Sequence, residues 1–322
     1  MTLKTCRSCD GADLRLILSL GMTPLANALR TKDDLEKPEA AYLLDLVFCP
    51  KCTLVQITET VPPETLFSEY LYFSSFSETV LENARVIAER MVVERRLDAK
   101  SFVVEIASND GYLLKNYRAA GIEVLGVEPA QNIAKVAEEN GIPTVAKFFN
   151  KALGEELAKT HGSADIIHAN NVVAHVADLH GVVSGIAALL KPNGVAIIEN
   201  HYVKDLIDHT EFDSIYHEHL CYYSATSFER LFARHGLKLV RVERIPIHGG
   251  SLRVFFQRAD GPRDFSDDAN KNGMLAEEKT WGVNNFEFYK NFGEKIERLR
   301  KELVSLLTKL RAEGSRVSVY GA

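Results

Sequence analysis

The stretch "SFVVEIASNDGYLLKNYRAAGIEVLGVEP", residues 101–129, decides the fold. "SFVVEIA" is apolar and β-branched, so it reads as a strand. "SNDG" is a polar turn. "YLLKNYRAAG" spaces its apolar residues as a helix does and closes on glycine, and "IEVLGVEP" is a second strand that ends in an acid. Downstream, "GIPTVAKFF" reads as a short strand. "ADIIHANNVVAHV" reads as a strand entering a polar loop, and a helix then stops at "KPNG" ahead of the strand "VAIIEN". This βαβαβ alternation predicts an α/β fold, with a parallel sheet covered by helices. "LKLVRVERI" and "SLRVFFQR", joined by "PIHGG", predict an antiparallel edge that makes the sheet mixed. Before them, "SATSFERLFARHG" has the pattern of a capped helix, with Thr226 and Glu229 as the box.

Outside this centre the chain changes character. Residues 76–97 carry Val80, Ala84, Ile87, Ala88 and Met91 at spacings of three and four, and so predict a helix. The aromatic, polar stretch "FSEYLYFSSFS" precedes it. Residues 261–273 read as polar linker, and about 286–311 as a long charged helix. "RVSVYGA" at the end reads as a strand opening a further, truncated domain. The expected organisation is a zinc-binding domain over 1–62, an aromatic segment and helix over 63–98, and a cofactor-binding domain over 99–260. A linker, long helix and first strand of a C-terminal Rossmann-like domain follow over 261–322.

The 322 residues are 46% hydrophobic and 25% charged with a formal net charge of −6, ordinary globular values without the basic surplus that neutralises phosphate backbones. Nucleic acid is therefore not an expected partner. No apolar run approaches the roughly 18 residues of a membrane span. The start, "MTLKTCRSCDGAD", has no hydrophobic signal core, so no membrane and a cytoplasmic location are expected.

Four of the five cysteines form two Cys-x2-Cys pairs, Cys6 and Cys9, then Cys49 and Cys52. Each pair can aim two thiolates at one ion, so the quartet predicts a closed, structural Zn2+ site. Zinc would supply folding energy to a segment too short and polar to build much core. The alternatives are unrelated reduced pairs or a redox Cys-x-x-Cys. Cys221 stands apart as a half-buried filler.

The first strand–turn–helix lacks the GxGxxG phosphate loop, which argues against a dinucleotide. Glu105 sits on the strand, with Ser108, Asn109 and Gly111 in the turn, where amides face a ligand at the carboxyl end of the sheet. Glu128 ends the second strand, a position suited to ribose hydroxyls. Asn170 and Asn171 end the fourth strand, with His175 just beyond. This ordered set predicts S-adenosylmethionine, a nucleoside cofactor without diphosphate, and so a class I methyltransferase Rossmann-like sheet. Individually, Glu105 reads equally as a buried network acid and Asn171 as a turn residue.

The segments "EYLYFSS", "EIASNDGYLL", "GVEPA", "ANNVVAHV", "IIENHYVKDLI", "FDSIYHEHLCYYS" and "PIHGGSLRVF", with the cysteine quartet, give the whole chain a family likeness. It resembles the bacterial C-methyltransferases with an N-terminal zinc domain that act on nucleotide-linked keto-deoxysugars. The resemblance implies a methyl transfer from S-adenosylmethionine to a sugar ring carbon, with C3 beside a C4 ketone the usual position and a TDP-sugar the usual substrate. It also implies His219 as general base, with Tyr216, Glu218 and a tyrosine ahead of the first long helix in the site. Tyr70 is favoured for that tyrosine, and Tyr72 is then a substrate contact. One departure is Ala107, where the family usually carries glycine before the Ser-Asn-Asp-Gly turn.

The chemistry on its own also asks for a base and donors near a developing enolate, which "YHEH" supplies without choosing between His217 and His219. In an extended segment the two would share a face, with Glu218 pointing elsewhere. Asn200, His201, Tyr202 and Lys204 follow the fifth strand, and His248 and Gly249 lie in the hairpin; all six are expected substrate contacts, with Lys204 suited to a phosphate. The main alternative is O- or N-methylation of a sugar or other small metabolite. A zinc-containing scaffold with a decayed pocket and a nucleic-acid methyltransferase are the others.

Overall fold

The computed structural model describes residues 2–67, 72–262 and 264–318. Tyr70 and the last four residues, which carry most of the expected terminal strand, lie outside the described residues.

The amino-terminal part holds β1 (Arg15–Pro24), β2 (Ala41–Phe48), β3 (Val55–Ile57) and the short α1 (Pro63–Phe67). Next comes α2 (Glu78–Glu94), which starts where Ser77 accepts a bond from the Val80 amide and buries Ala84, Ile87, Ala88 and Met91, the predicted stripe. The central alternation is β4 (Phe102–Ile106), α3 (Leu114–Ala119), β5 (Glu123–Val127), α4 (Gln131–Glu139), β6 (Thr144–Val145), α5 (Lys151–Thr160), β7 (Ala164–Asn170), α6 (Leu179–Leu189) and β8 (Leu190–His201). Then follow α7 (Val203–His209), β9 (Cys221–Tyr222), α8 (Ala225–Ala233), β10 (Leu237–Ile245) and β11 (Ser251–Arg258). Helices α9 (Asp268–Trp281), α10 (Phe286–Tyr289) and α11 (Phe292–Ala312) complete the described chain.

The large sheet runs β10-β11-β8-β7-β4-β5-β6. Strands β4 to β8 pair in parallel, while β11 is antiparallel to both β8 and β10. The strand order reverses between β4 and β7, so a crevice opens at their carboxyl ends. Helices α2 and α3 bury one face, against Val103, Val195, Ile197 and Phe255. Helices α5, α6 and α8 bury the other.

The second sheet, β1-β2-β3-β9, joins the two halves of the molecule. Its last strand comes from the central part of the chain, directly after "YHEHL". Val55 pairs with Tyr222 and Gln56 with Cys221, and the Ile57 amide donates to the Leu220 carbonyl at 3.0 Å. On its other side the same segment meets the large sheet's end, through the Tyr202–Tyr223 bridge and the Val203 amide on the Tyr223 carbonyl.

Five expectations change. The cysteine segment has a real core: Leu44, Leu46, Phe48, Leu54, Val55 and Ile57 are buried in one cluster with Tyr222, Tyr289 and Phe292, because the carboxyl-terminal helices return to cover it. Cys221 is fully buried, as the strand position requires. The cap of α8 is Ser224, paired with Ser227, two residues ahead of the predicted box; Thr226 instead bonds Glu278. The expected linker already contains the start of α9, whose polar sequence hides one buried carboxylate, Glu278, that takes four hydrogen bonds. The long terminal helix is interrupted at Lys290 and Asn291.

Candidate active site

The cysteine centre is built from two tight turns. The residue after each pair, Asp10 at φ 56° and Thr53 at φ 64°, takes the left-handed conformation, and this swings each pair's thiols inward. All four Sγ atoms are buried and lie within 4.8 Å of one another, with Cys6 to Cys52 at 3.4 Å and Cys9 to Cys49 at 3.5 Å. Four thiolates about 2.3 Å from one tetrahedral ion stand at this kind of separation. The donor set fits structural zinc, and no side is open for a substrate. Gly11 leaves the room, since a Cβ there would stand 3.3 Å from the Cys9 sulfur.

At the crevice, the turn after β4 is strained in a useful way. Ala107, Asn109 and Gly111 have φ values of 51°, 49° and 81°. The glycine expected in place of Ala107 therefore has a conformational reason, and alanine bears a cost of about 1 kcal/mol there. Gly111 packs on Ile142, which a Cβ would approach to 2.6 Å. Gly126 on β5 has no room for a side chain because the Ser108 hydroxyl occupies it. Glu128 braces the turn: its two oxygens accept from the Asn109 amide at 3.0 Å and the Ala130 amide at 2.9 Å. Burial raises its pKa.

The crevice holds a concentration of buried polar atoms with no protein partner among the described residues: both oxygens of Glu105, the Ser108 hydroxyl, Asp110 Oδ1, Asn170 Oδ1, Asn171 Oδ1, and both side-chain heteroatoms of Asn200. Such atoms are costly unless something meets them. Burial holds the Glu105 pKa well above its ordinary range, with the neighbouring Tyr112 hydroxyl working the other way. A cationic ammonium, as on the amino-acid half of S-adenosylmethionine, answers that carboxyl. The set fits the cofactor: Glu105, Ser108 and Asn171 are the residues that could hold its amino-acid half, and Glu128, at the end of β5, is the one that could meet its ribose. Asn109 has a different duty from the expected one. Its side chain accepts from the Ser74 amide at 2.9 Å and donates to the Tyr72 carbonyl at 3.1 Å, so it straps the aromatic segment over the turn. Tyr72 stands at that rim, 46% exposed.

The second cluster adjoins β8 and the segment before β9. Residues 215–220 form a turn rather than an extended strand, so the two histidines of "YHEH" diverge. His217 donates from Nε2 to the Leu43 carbonyl at 3.3 Å and packs its ring on Tyr42, facing the zinc-bearing sheet. His219 donates from Nδ1 to the Ser214 carbonyl at 2.9 Å, and its Nε2 faces the Tyr216 hydroxyl at 3.2 Å. A carbonyl can only accept, so the proton of neutral His219 is on Nδ1 and Nε2 keeps its lone pair. The ring of His175 lies 4.8 Å from that of His219, His201 5.2 Å from His219, and His248 5.5 Å from His201. Burial depresses His219 and His201 to about 3 and His175 to about 4, reinforced by the neighbouring imidazoles. Glu218 accepts from Asn27 Nδ2 at 2.6 Å, and burial raises its pKa.

Several expected site residues belong elsewhere. His175, expected at the cofactor, stands against His219. Tyr202 is buried with its hydroxyl on Glu278 at 3.1 Å, so it serves the α9 contact rather than a substrate. Lys204, expected at a phosphate, pairs with Asp208 and lies 4.1 Å over the Trp281 ring, so its ammonium already has partners in the fold. Gly249, at φ 78°, is a turn residue backed by the Glu211 carboxylate. His201 and His248 do come together with His219, while Asn200, next to His201 on β8, points to the other face of the sheet. Sequence reading missed Ser214 and Tyr222, whose bonds stay within the loop before β9, Gly126, which makes room for Ser108, and Asn27, whose bond to Glu218 spans 191 residues. It also missed the buried Glu199–Arg253 pair, 3.0 Å apart and shared with Asn83, although a charged residue in the apolar run "VAIIEN" was a signal for it.

Comparison with known proteins agrees with this geometry. A methyltransferase domain family matches residues 81–242, a zinc binding domain family 6–67, and a C-methyltransferase C-terminal domain family 246–322. The C-methyltransferase NovU of Streptomyces niveus is 35% identical over 317 residues, 98% of this chain and 75% of that protein. A ubiquinone biosynthesis O-methyltransferase of Bordetella avium is 33% identical over 94 residues, 29% of this chain and 39% of that enzyme. Among solved structures, magnesium protoporphyrin IX methyltransferase from Synechocystis PCC 6803 with bound SAH superposes with a TM-score of 0.44 at 13% identity, covering 55% of this chain and 83% of that one. With a cysteine quartet set for zinc, a crevice set for S-adenosylmethionine, and a C-methyltransferase relative that matches 98% of this chain, the chain belongs to the zinc-containing family of S-adenosylmethionine-dependent C-methyltransferases.

Proposed function

We propose that the acceptor is a nucleotide-linked 4-keto-deoxysugar, with TDP as its nucleotide, and that the methyl group goes to C3 through an enolate formed by His219. The observation that carries this reading is the tautomer of His219. The Ser214 carbonyl fixes the proton on Nδ1, so Nε2 presents a lone pair inside the site. A carbon acid beside a ketone needs such a base together with donors for the enolate oxygen, and Tyr216 and Glu218 stand on the same turn. His217 has no such claim, since its ring is turned to Leu43 and Tyr42.

Bound S-adenosylmethionine supplies an electrophilic methyl group. His219 Nε2 takes the proton from C3, and the electron pair moves into the enolate. The Tyr216 hydroxyl and the carboxyl of Glu218 stand on the same turn as donors for the developing oxyanion; burial favours the protonated form of Glu218. Tyr72 belongs to the rim segment, where a sugar ring would enter; Tyr70, the favoured tyrosine, lies outside the described residues.

The test is solvent exchange. The protein with S-adenosylhomocysteine bound is incubated in D2O with a TDP-4-keto-6-deoxysugar and followed by NMR, for wild type and His219→Ala. Deuterium uptake beside the ketone, lost in the variant, is the expected result. No uptake by wild type, with cofactor and sugar binding demonstrated, would overturn the enolate reading and favour a heteroatom acceptor.

A further inference from the structure

Methylation at carbon releases one proton per turnover: a C–H bond breaks, a C–C bond forms, the sulfonium electrons return to sulfur, and a proton is left over. Given His219 as base, that proton is on an imidazole that is only 7% exposed. It cannot stay there. Burial and the His175 ring hold His219 at about 3, so the imidazolium is disfavoured in place.

We propose that His201 and His248 form the exit path for this proton, carrying it from His219 Nε2 to solvent at the β10–β11 turn. The inference rests on the base role argued above. The three rings form a series, His219 to His201 at 5.2 Å and His201 to His248 at 5.5 Å between centroids. Exposure rises along it, from buried His219 through half-buried His201 to exposed His248. No hydrogen bond links the rings directly, and centroid separations of this size suit transfer through one water between neighbours. The charge environment points the same way. Burial lowers the pKa of the outer member, His248, but the Glu199 carboxylate offsets part of that, whereas burial lowers His219 with only other imidazoles and the Ser214 carbonyl beside it. Backbone strain adds a separate observation: His248 is held at φ 52°, a conformation that a glycine would adopt at less cost, directly before Gly249 and Gly250. Retaining a histidine there has a reason if its ring is needed at the mouth of the path.

The step balances without a further reactant. His219 gives its Nε2 proton to a ring nitrogen of His201, His201 gives one to His248, and His248 gives one to solvent buffer, leaving all three neutral.

The experiment compares the first turnover with later ones in the full chain, using a TDP-4-keto-6-deoxysugar and S-adenosylmethionine. Both His248→Ala and His201→Gln are expected to slow steady-state turnover by about tenfold or more. The first turnover, which ends with the proton still on His219, should fall far less. Imidazole added to the buffer should restore the His248→Ala rate and leave wild type unchanged. The proposal is overturned by an unchanged steady state in both variants, by equal losses in first and later turnovers, or by a loss that imidazole does not rescue. Turnover retained by His219→Ala would remove the base assignment itself, which separates the two failures.

Discussion

Zinc should control the order of the catalytic turn while leaving the cofactor crevice intact. The perturbation is removal of the metal, by chelation or by Cys49→Ser. Apparent free energies for structural zinc sites run at about 10–16 kcal/mol, as large as the whole stability of a typical domain. The cysteine turns therefore open when the ion leaves. The turn that carries His217, Glu218 and His219 is tied to this part of the chain by the Asn27–Glu218 bond, the His217–Leu43 bond and the Ile57–Leu220 bond, besides the short β3–β9 ladder. At about 1 kcal/mol net for each of these bonds, their loss is worth about 3 kcal/mol, or roughly a hundredfold in the population of the ordered turn. By contrast, the cofactor ligands lie on β4, β5 and β7 and on the loops that follow them, and their partners lie in the large sheet and the 72–75 segment.

Hydrogen exchange followed by mass spectrometry reads this directly. Amides of residues 215–223 should lose about hundredfold in protection, while those of β4 and β5 keep theirs. Methyl transfer should fall by the same order, and S-adenosylhomocysteine affinity measured by calorimetry should change little. Equal loss of protection in β4 and β5, or loss of cofactor affinity in step with activity, would refute the division of labour. A zinc-free protein with normal exchange over 215–223 would refute it from the other side.

Three further outcomes follow from buried charge and strain. His168, His175, His201 and His219 are all held at about 3 to 4 by burial, below the ordinary value of 6.5, so the unfolded chain binds more protons than the folded one between those limits. Stability is thus complete above pH 6.5 and falls on acidification, by up to about 5 kcal/mol per pH unit if all four contribute; urea midpoints from pH 7.5 to 5 test this, and a flat profile contradicts it. Ala107→Gly relieves a left-handed alanine and should stabilise the protein by up to about 1 kcal/mol, seen as a higher thermal midpoint. Glu278→Ala strands the Ala225 and Thr226 amides and the Thr226 and Tyr202 hydroxyls, and should cost about 3–5 kcal/mol by urea titration.

The parts legible in sequence were those fixed by local pattern. The β4–turn–α3 unit, the stripe of α2 and the two cysteine turns each show in fewer than twenty consecutive residues. The parts that were not legible depend on distant partners. Nothing in "DANKNGMLAEEKTW" marks a core helix, because its one anchoring group is a glutamate satisfied by the first turn of α8, some fifty residues earlier. Lys204 looked available for a phosphate because sequence cannot show that Trp281 covers it. Asn27 sits in a polar loop, and only its 191-residue contact with Glu218 gives it a role.

The turn geometry at "YHEH" also bears on why a zinc-binding part accompanies a methyl-transfer fold. On an extended strand, residues two apart share a face, and His217 and His219 would compete for one site. In the turn they separate, and each is held by a backbone carbonyl from a different part of the chain: Leu43 of β2 for His217, Ser214 for His219. The first contact keeps the turn from relaxing into a strand, and the second selects the tautomer. On the proposed reading the zinc-bearing sheet supplies no reacting group of its own among the described residues, but through Leu43 and β3 it holds the turn in which Ser214 sets the His219 tautomer. A β3–β9 pairing only two residues long is a weak way to do this unless β3 is itself held rigidly, and the Cys49–Cys52 turn immediately before Val55 is where the metal supplies that rigidity.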